Sequence, residues 1–434
     1  MTHPLRVSGR GARLGGVLAV PGDKSIAHRA LLLGALAEGT SVVRGFPGGA
    51  DVRATLGAIR ALGAAVRHDG DVVEIEGRGL ALGAGVDVTI DCANSGTTMR
   101  LGAGLMAAGQ GRCTLEGDGS LRRRPMERVA EPLRQMGAHV HSTDGHAPLV
   151  IEGRPLHGIT WTPPVASAQV KSAILLAGLR ARGRTTVIEP LATRDHTERM
   201  LAHMDVGVVR EGTRVSVTGM ETLRPLTLTV PGDPSSAAFL LVAALLVPGS
   251  ELRVTNVGTN PLRIGALEIL RRMGADIALE RARDEGGEPC GDLVVRYGEL
   301  RGTTIGPAEI PGAIDELPIL AVAAAFADGV TRVAGAAELR VKESDRIGAL
   351  EQLRDLGVPL ETTADGFEVR GRPHAALGGG RITTHGDHRI AMAFAVAALR
   401  SPDGLVIDDP DCAAVSFPGF FDRLAALGAT VEAA

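Results

Sequence analysis

The sequence predicts an α/β protein in which one α/β unit is repeated six times, in two domains of three units. Each copy has a small or polar opening, an apolar helix of Ala and Leu, a short strand, an amphipathic helix and a closing strand. The closing tripeptides recur at intervals of roughly 70 residues, longer than the repeats of solenoid proteins. They are Leu62-Gly63-Ala64, Met136-Gly137-Ala138, Met204-Asp205-Val206, Met273-Gly274-Ala275, Leu356-Gly357-Val358 and Leu427-Gly428-Ala429. Residues that interrupt the repeat are therefore the candidates for function.

Two similar joints divide the chain. Val20-Pro21-Gly22-Asp23 and Val230-Pro231-Gly232-Asp233 each combine a proline, a flexible glycine and an aspartate that can cap a helix. The predicted boundaries are 1–20 with 232–434 for one domain, 21–231 for the other, and a hinge near 20–22 and 230–232. The first 20 residues would supply one spare strand to the domain that contains 232–434.

The apolar helices carry too little charge for surface helices, so we expect them at the domain centres. Amphipathic helices such as 263–273 and 348–356 would cover them. Ser25, Ser95 and Ser167 open three of the apolar helices and predict N-terminal caps. Buried helices of like orientation would bring their N-termini to one face of a domain, where free N–H groups favour anions. Two such faces turned toward each other would suit a multiply anionic ligand.

Composition excludes several classes of function. With 46 Lys and Arg against 50 Asp and Glu, the 434-residue chain has a formal net charge of −4, so we expect no nucleic-acid partner. Aromatic residues make up 2%, too few to stack on single-stranded nucleic acid. The apolar run 237–247 is too short to cross a membrane, and residues 1–18 lack a signal-peptide pattern. Four scattered cysteines suit a reducing compartment, so we expect a cytoplasmic protein without a membrane partner.

Basic side chains occur at five of the openings, close to the predicted helix N-termini. They lie in Asp23-Lys24-Ser25 to Arg29, Asn94-Ser95-Gly96-Thr97-Thr98-Met99-Arg100, Ser167-Ala168-Gln169-Val170-Lys171, Lys342-Glu343-Ser344-Asp345-Arg346 and Asp387-His388-Arg389. Cations are unfavourable at a helix N-terminus unless an anion offsets them, which indicates an anionic ligand. Lys342 and Arg346, spaced i and i+4, are expected on one helical face. Asp315 is expected to cap the apolar helix of the fifth unit.

Each motif also has an ordinary interpretation. Arg122-Arg123-Arg124 would be a solvated loop, and residues 342–346 an exposed set of ion pairs. His385 and His388 have no further ligand at metal-binding spacing, and Arg194-Asp195-His196-Thr197-Glu198 is equally incomplete. We therefore predict no metal site.

Taken together and in this order, the motifs resemble those of the enolpyruvyl transferase family, and within it the members that use shikimate 3-phosphate. The resemblance covers essentially the whole chain. Its motifs are Pro21-Gly22-Asp23-Lys24-Ser25, Asn94-Ser95-Gly96-Thr97, Arg124-Pro125, Ser167-Ala168-Gln169, Arg194-Asp195-His196-Thr197-Glu198, Val341-Lys342-Glu343-Ser344-Asp345-Arg346, Asp387-His388-Arg389 and Ser416-Phe417-Pro418. It implies two domains, each of three βαββαβ units with buried parallel helices, a fold of the inverse α/β barrel type.

The resemblance also implies a reaction and a site. The reaction moves the carboxyvinyl group of phosphoenolpyruvate to the 5-hydroxyl of shikimate 3-phosphate and releases phosphate, a step of aromatic amino acid biosynthesis. Asp315 is the implied base, Glu343 the implied proton donor to C3, and Lys24 the implied aid to proton transfer at the phosphate. The residues implied for shikimate 3-phosphate are Lys24, Ser25, Arg29, Ser167, Ala168, Gln169, Arg194, Asp315 and Lys342; those for phosphoenolpyruvate are Lys24, Gly96, Arg124, Gln169, Arg346 and Arg389. We expect a monomer that needs no cofactor.

Some positions depart from the family pattern, and two alternatives stay open. Val415 stands where some relatives have Lys, Glu338 where some have Asn, and Ala27 where Ser is frequent. One alternative is transfer to UDP-N-acetylglucosamine, but loop 117–124 lacks the cysteine of that enzyme. The other is a noncatalytic scaffold that binds shikimate 3-phosphate, which the retention of all three implied catalytic residues disfavours.

Overall fold

A computed structural model describes residues 3–219 and 222–434. The helices are α1 (Lys24–Leu36), α2 (Ala50–Ala61), α3 (Gly96–Ala107), α4 (Glu127–Gln135), α5 (Ala168–Gly178), α6 (His196–His203), α7 (Pro234–Leu246), α8 (Gly265–Arg272), α9 (Ile310–Ala313), α10 (Leu317–Ala325), α11 (Arg346–Ala349), α12 (Gln352–Asp355), α13 (His388–Ala397) and α14 (Phe420–Ala426).

The strands are short and mostly lie in sheets of four. They are β1 (Leu5–Ser8), β2 (Gly15–Ala19), β3 (Glu38–Arg44), β4 (Ala65–Asp69), β5 (Val72–Arg78), β6 (Asp87–Asp91), β7 (Arg112–Glu116), β8 (His139–Thr143), β9 (His146–Glu152), β10 (Leu156–His157), β11 (Thr160–Trp161), β12 (Ala181–Arg182), β13 (Arg184–Ile188), β14 (Val209–Glu211), β15 (Arg214–Thr218), β16 (Thr227–Thr229), β17 (Glu251–Gly258), β18 (Asp276–Glu285), β19 (Glu288–Arg296), β20 (Leu300–Arg301), β21 (Thr304–Ile305), β22 (Ala327–Asp328), β23 (Val330–Val333), β24 (Leu360–Thr363), β25 (Gly366–Arg370), β26 (Gly380–Ile382), β27 (Leu405–Ile407) and β28 (Thr430–Ala433). The fold is mixed α/β, as predicted.

The chain packs into two units, which are described separately. Unit 1 comprises 1–21, 232–283 and 289–434, and unit 2 comprises 22–231 and 284–288, the tip of the β18–β19 hairpin. Each unit has its own hydrophobic core.

The sheets show how the sequence repeat is built. Unit 2 has sheets β16-β3-β5-β4, β6-β7-β9-β8 and β11-β13-β15-β14, and unit 1 has β2-β17-β19-β18, β21-β23-β25-β24 and β26-β27-β1-β28. Each of these sheets starts with a parallel pair at one edge, such as β16 with β3, followed by an antiparallel pair, such as β3 with β5. The two-stranded sheets β10-β12 and β20-β22 are also parallel. One sheet pattern therefore recurs in every repeat.

The first 20 residues supply two strands of unit 1, so the prediction of a single spare strand is wrong. β1 pairs antiparallel with β27 and β28, whereas β2 pairs parallel with β17. A turn between them divides the segment: the N–H of Ala12 donates to the carbonyl of Gly9, and Gly11 has φ +72°. That left-handed conformation suits glycine and ends the first strand.

Buried helices lie at the centre of each unit, as their composition predicts. In unit 2, α3 packs against α1 and α5; in unit 1, α13 packs against α7 and α10. Every residue of α7 and of α10 is buried. The amphipathic helix α8 lies within the predicted 263–273, but 348–356 is not one helix. There, the N–H of Glu351 bonds to the carbonyl of Gly348, an i to i+3 bond that tightens the chain between α11 and α12.

Candidate functional site

In unit 2 the N-terminal turns of α1, α3 and α5 come together. Arg29 Nη2 on α1 donates to Ser172 Oγ on α5 at 2.9 Å. Arg100 Nη1 on α3 donates to Gln169 Oε1 on α5 at 2.6 Å. The convergence of helix N-termini within a domain, expected from the repeat, therefore occurs here, with guanidinium groups at the meeting point.

Lys24 lies in the first turn of α1 beside a carboxylate. Its Nζ is 2.8 Å from Asp51 Oδ2 at the start of α2, and both side chains are largely buried. Asp23 caps α1, because its Oδ1 accepts hydrogen bonds from the N–H groups of Ser25 at 2.7 Å and Ile26 at 3.1 Å. Of the two caps that the sequence predicted here, Asp23 is therefore confirmed, whereas Ser25 lies inside the first turn.

Arg29 is buried, and two hydroxyl groups hold its guanidinium. Nε donates to Thr197 Oγ1 at 2.7 Å, Nη2 to Ser172 Oγ at 2.9 Å, and Nη1 to the carbonyl of Ser25 at 2.8 Å. Burial, with a smaller contribution from the guanidinium of Arg194, lowers the pKa of Arg29 to about 10. That value is far above neutral pH, so Arg29 keeps its charge and can attract an anion.

The side-chain amide of Gln169 is fixed from both sides. Its Oε1 accepts a hydrogen bond from Arg100, and its Nε2 donates to Thr97 Oγ1 at 2.8 Å. Ser95 caps α3 as predicted, through a hydrogen bond from the N–H of Thr98 to its Oγ at 3.1 Å. These bonds join the start of α5 to the first turns of α3.

Arg124 and Gly96 are neighbours. Arg124 Nη2 donates to Asn94 Oδ1 at 2.6 Å, and Asn94 Nδ2 donates to Asp118 Oδ2 at 2.7 Å. A Cβ added at Gly96 would lie 3.3 Å from Arg124 Nη1 and 2.9 Å from Arg100 Nη1. The missing side chain therefore lets two guanidinium groups lie close to the first turn of α3.

The remaining predicted residues of unit 2 lie at the starts of α5 and α6. Ser167 caps α5 as predicted, since its Oγ accepts a hydrogen bond from the N–H of Val170 at 3.4 Å, and Ala168 is the first residue of the helix. Arg194 precedes α6 and is close enough to Arg29 to lower its pKa.

Unit 1 brings its predicted site residues into one group around Asp315. Oδ1 of Asp315 lies 3.4 Å from Lys342 Nζ and 3.6 Å from Arg346 Nη1, and Oδ2 lies 4.0 Å from Arg389 Nη2. The main-chain carbonyl of Asp315 also accepts a hydrogen bond from Arg389 Nη1 at 3.0 Å. Three cationic side chains therefore surround this carboxylate.

Arg346 is 1% exposed and joins three carboxylates. It binds Asp387 through Nε at 2.8 Å and Nη2 at 3.2 Å, and Nη2 also binds Glu343 Oε2 at 2.7 Å. Burial alone lowers the pKa of Arg346, but the charges of Asp387, Glu343 and Asp315 outweigh burial and hold the pKa above its ordinary value. Arg346 is therefore permanently charged, with Nη1 facing Asp315.

Two local expectations about this group are wrong. Lys342 and Arg346 do not share a helical face, because residues 337–341 form a 3₁₀ helix, Lys342 is extended, and α11 begins only at Arg346. Asp315 lies in a 3₁₀ turn, and α10 follows Glu316, so Asp315 does not cap that helix. These residues come together through tertiary ion pairs and not through a shared helix.

The sequence missed three residues that hold the predicted ones. Asp51 binds Lys24, Arg100 binds Gln169, and Asp387 binds Arg346. Arg100 and Asp387 lie inside motifs that the sequence analysis singled out, so their charge and position could have predicted a place in the site. Asp51 had no such signal, because its partner is 27 residues away on another helix.

Residues 3–219 and 222–434 contain no group of three or more His, Cys, Asp and Glu side chains placed to hold a metal ion. Within the same residues, no helix has the length and apolar character needed to cross a membrane.

The sequence matches the family EPSP synthase (3-phosphoshikimate 1-carboxyvinyltransferase) over residues 9–424. The chain belongs to this family. A protein of that name from Acidithiobacillus ferrooxidans is 53% identical over 412 residues, which cover 94% of each chain. One from Geobacter sulfurreducens is 49% identical over 422 residues, 96% of each chain.

Solved structures show the same similarity. EPSP synthase from Acinetobacter baumannii has a TM-score of 0.88 and 42% identity, and the match covers 99% of this chain and 100% of that one. The enolpyruvyl transferase NikO from Streptomyces tendae has a TM-score of 0.79 at 19% identity, covering 100% and 99%, and shares the fold. The predicted fold class and family are confirmed.

Proposed function

We propose that the basic residues of unit 2 and the acid–base group of unit 1 act in one reaction. That reaction is the family's step of the shikimate pathway: transfer of the carboxyvinyl group of phosphoenolpyruvate to the 5-hydroxyl of shikimate 3-phosphate. The observation that carries the proposal is the pairing of two carboxylates through one buried cation. Arg346 lies 3.6 Å from Asp315 and 2.7 Å from Glu343. An addition–elimination reaction needs a base and an acid that act on neighbouring atoms.

Shikimate 3-phosphate presents a carboxylate, a phosphate and ring hydroxyls to the protein. The residues proposed to bind it are Lys24, Ser25, Arg29, Ser167, Ala168, Gln169, Arg194, Asp315 and Lys342. Arg29 suits a carboxylate because the forked donors of a guanidinium match paired oxygens. The N-terminus of α5, next to Ser167 and Ala168, carries the positive end of the helix dipole and suits a phosphate.

Phosphoenolpyruvate presents a phosphate and a carboxylate on a smaller molecule. The residues proposed to bind it are Lys24, Gly96, Arg124, Gln169, Arg346 and Arg389. Two features support this assignment. Gly96, which has no side chain, lets the guanidinium of Arg124 lie close to the start of α3, and Arg346 and Arg389 both lie within 4.0 Å of Asp315.

Addition begins at the 5-hydroxyl. Asp315 takes the hydroxyl proton, and the oxygen forms a bond with C2 of phosphoenolpyruvate while C3 receives a proton from Glu343. Lys342 and Arg346 lie beside the carboxylate of Asp315 and hold it in position. Arg346 binds the carboxyl group of Glu343 in the free protein. Bound phosphoenolpyruvate adds negative charge beside Arg346 and so favours the protonated Glu343 that the step requires.

Elimination acts on the tetrahedral intermediate and reverses only the proton transfer at C3, because the 5-oxygen stays bonded to C2; the proton that Asp315 took is released to solvent when the site resets. C3 loses a proton to Glu343, the bond from C2 to the phosphate oxygen breaks, and phosphate leaves. Lys24 is proposed to supply a proton or positive charge at that oxygen, and Asp51 holds its ammonium group in place. Fixed charges of this kind stabilise the negative charge that develops on the leaving group.

A phosphate-release assay tests the function. We expect phosphate from the wild-type protein with phosphoenolpyruvate and shikimate 3-phosphate, and none when UDP-N-acetylglucosamine replaces the latter. Release only with UDP-N-acetylglucosamine would establish the sister reaction. Binding of shikimate 3-phosphate without any release would establish the noncatalytic alternative.

We also propose that 1–20 with 232–434 and 21–231 act as two domains with a hinge near 20–22 and 230–232. The chain changes unit between 21 and 22 and between 231 and 232, which supports the two crossings. Shikimate 3-phosphate is expected to reduce the radius of gyration in solution scattering, because its proposed ligands come from both halves of the chain. An unchanged radius at saturating ligand would contradict the hinge.

The proposed partners are the two small-molecule substrates, and we propose a cytoplasmic monomer. All four cysteines are buried thiols. Thiols of this kind suit a reducing compartment. Light scattering of the purified protein measures its mass in solution, and a dimer would contradict the monomer.

A further inference from the structure

The fourth helix opening, Asp233-Pro234-Ser235-Ser236, carries no cationic residue, unlike the five motifs on which the function rests. The structure nevertheless places its Ser235 in contact with a site residue. Ser235 is 2% exposed, lies in the first turn of α7, and is 154 residues from its hydrogen-bond partner Arg389.

Arg389 Nη1 donates to Ser235 Oγ at 2.9 Å and to the carbonyl of Asp315 at 3.0 Å. Within the part of the chain that the structure describes, both side-chain hydrogen bonds of Arg389 leave from this one nitrogen. Nη2 faces the carboxylate of Asp315 at 4.0 Å. The guanidinium is therefore anchored along one side, with Nε and Nη2 available to an oxyanion.

Glu316 determines the direction of the Ser235 hydroxyl proton. The Ser235 hydroxyl donates to Glu316 Oε1, which also lies 3.7 Å from Arg389 Nη1. A serine hydroxyl has one proton, so donation to Glu316 leaves a lone pair of Ser235 Oγ directed at Arg389.

Glu316 is itself held in place. It is 1% exposed, and its Oε1 accepts a hydrogen bond from Arg263 Nη1 at 3.0 Å. Arg263 Nη2 binds Asp233, the cap of α7, at 2.9 Å. Oε2 of Glu316 is buried without a hydrogen-bond partner among the described residues, so the bonds of this carboxylate are concentrated on Oε1.

We propose that Ser235 is a positioning residue, which orients Arg389 toward the anionic groups of phosphoenolpyruvate through a hydroxyl whose proton is committed to Glu316. The inference rests on the proposed function, in which Arg389 binds that substrate. Ser235 does not touch the reacting atoms. It acts by fixing one side of the guanidinium before the substrate arrives, which reduces the ordering cost of binding.

Ser235→Ala tests the role, and Ser236→Ala is the matched control. Ser236 is the next residue of α7 and is equally buried, with 2% exposure, and no hydrogen bond connects it to Arg389. We expect Ser235→Ala to raise KM for phosphoenolpyruvate about tenfold, because the variant loses one hydrogen bond to a charged group that binds this substrate. Its kcat and its KM for shikimate 3-phosphate are expected within about twofold of wild type. The oriented Arg389 would bind phosphoenolpyruvate equally well in the ground state and in the transition state, and it does not bind the other substrate. Ser236→Ala is expected to match wild type in all three constants.

A double-mutant cycle shows whether Ser235 acts through Arg389. In an Arg389→Ala background, adding Ser235→Ala should change KM for phosphoenolpyruvate no further. The inference would be contradicted if Ser235→Ala raised KM for phosphoenolpyruvate by the same factor with and without Arg389. Equal KM values for Ser235→Ala and Ser236→Ala would also contradict it.

Ser235→Cys keeps the size of the side chain but is a weak acceptor, so it should reproduce the KM effect without a cavity. Failure of both the Ala and the Cys variants to fold would assign Ser235 to stability and overturn the positioning role. No phosphate release by the wild-type protein would contradict the proposed function and this inference together. Normal wild-type release with an unchanged KM in Ser235→Ala would contradict the inference alone.

Discussion

Arg346 and Asp387 form a two-point ion pair inside unit 1: Nε and Nη2 of the arginine lie 2.8 and 3.2 Å from the two carboxylate oxygens. Asp387 is 0% exposed and also caps α13 through a hydrogen bond from the N–H of Arg389 at 2.9 Å. One carboxylate thus fixes two cationic site residues, the first by its charge and the second through the main chain.

Asp387→Asn should destabilise the protein by about 3 kcal/mol, because it leaves the buried charge of Arg346 short of a partner. Asparagine is itself a good helix cap, so the loss of stability measures the missing charge and not a missing cap of α13. Asp345→Asn is the matched control, since Asp345 caps α11 and pairs with Arg340 in a partly exposed setting. Denaturant unfolding should show a change below about 1 kcal/mol for the control. Equal losses in the two variants would contradict the importance of the buried pair.

The stability that Asp387 contributes should disappear in acid. Burial alone raises the pKa of Asp387, but the charge of Arg346 has the larger combined effect and holds the pKa below its ordinary value. A carboxyl of this kind stabilises the folded state above the unfolded pKa of about 3.9, and that contribution is lost as the pH falls through the folded pKa. The difference in unfolding free energy between wild type and Asp387→Asn should therefore be constant from pH 7 to 5 and shrink below pH 4. A difference that grows in acid would contradict this assignment.

Asp315→Asn and Glu343→Gln should each lower kcat by about 10² to 10⁴, the usual contribution of a positioned acid or base. Both variants keep the size of the side chain, so KM for shikimate 3-phosphate should change much less. Glu361→Gln, on the exposed side of β24, serves as the control and should leave both constants unchanged. Turnover near the wild-type value in both test variants would show that the acid and base lie elsewhere.

Arg29→Lys should raise KM for shikimate 3-phosphate by about tenfold or more while the protein stays folded. Lysine keeps the charge, but its donors all lie on one nitrogen, so it cannot match the spacing of Nε and Nη2, which bind Thr197 and Ser172. Arg60→Lys, at an exposed position of α2, is the matched control. The prediction is contradicted if both lysine variants bind shikimate 3-phosphate as wild type does.

Gly96→Ala should raise KM for phosphoenolpyruvate more than KM for shikimate 3-phosphate. The new methyl group would lie 2.9 Å from Arg100 Nη1 and 3.3 Å from Arg124 Nη1, so the end of Arg100 must move and that of Arg124 must shift slightly. Gly57→Ala is the control, because Gly57 also lies in a helix but a Cβ there meets no atom within 4 Å. That substitution should be neutral or stabilising by about 1 kcal/mol. Equal changes in the two KM values of Gly96→Ala would show that the surroundings of Gly96 do not serve phosphoenolpyruvate.

Local sequence was sufficient for the repeated elements. The apolar composition of α7 predicted a buried helix, and Ser95 and Ser167 predicted caps, because these features depend on residues within one or two turns. The sequence predicted the wrong local structure for Asp315 and Lys342, because tertiary ion pairs, and not helical spacing, set their positions.

Long-range contacts were beyond sequence reasoning. Ser235 binds Arg389 across 154 residues, and Arg263 binds Glu316 across 53. Nothing in the spacing of these residues relates one to the other. The family resemblance did select the charged residues that unit 1 brings together, because their types and order are part of the motifs.

The most direct test of the central claim is a ³¹P NMR spectrum of the wild-type protein with equal amounts of shikimate 3-phosphate and phosphoenolpyruvate. We expect both substrate signals to fall together, with one inorganic phosphate formed for each new phosphate-monoester product, and no phosphate when shikimate 3-phosphate is left out. Phosphate released from phosphoenolpyruvate alone, or substrate signals that stay unchanged in the complete mixture, would contradict carboxyvinyl transfer by this chain.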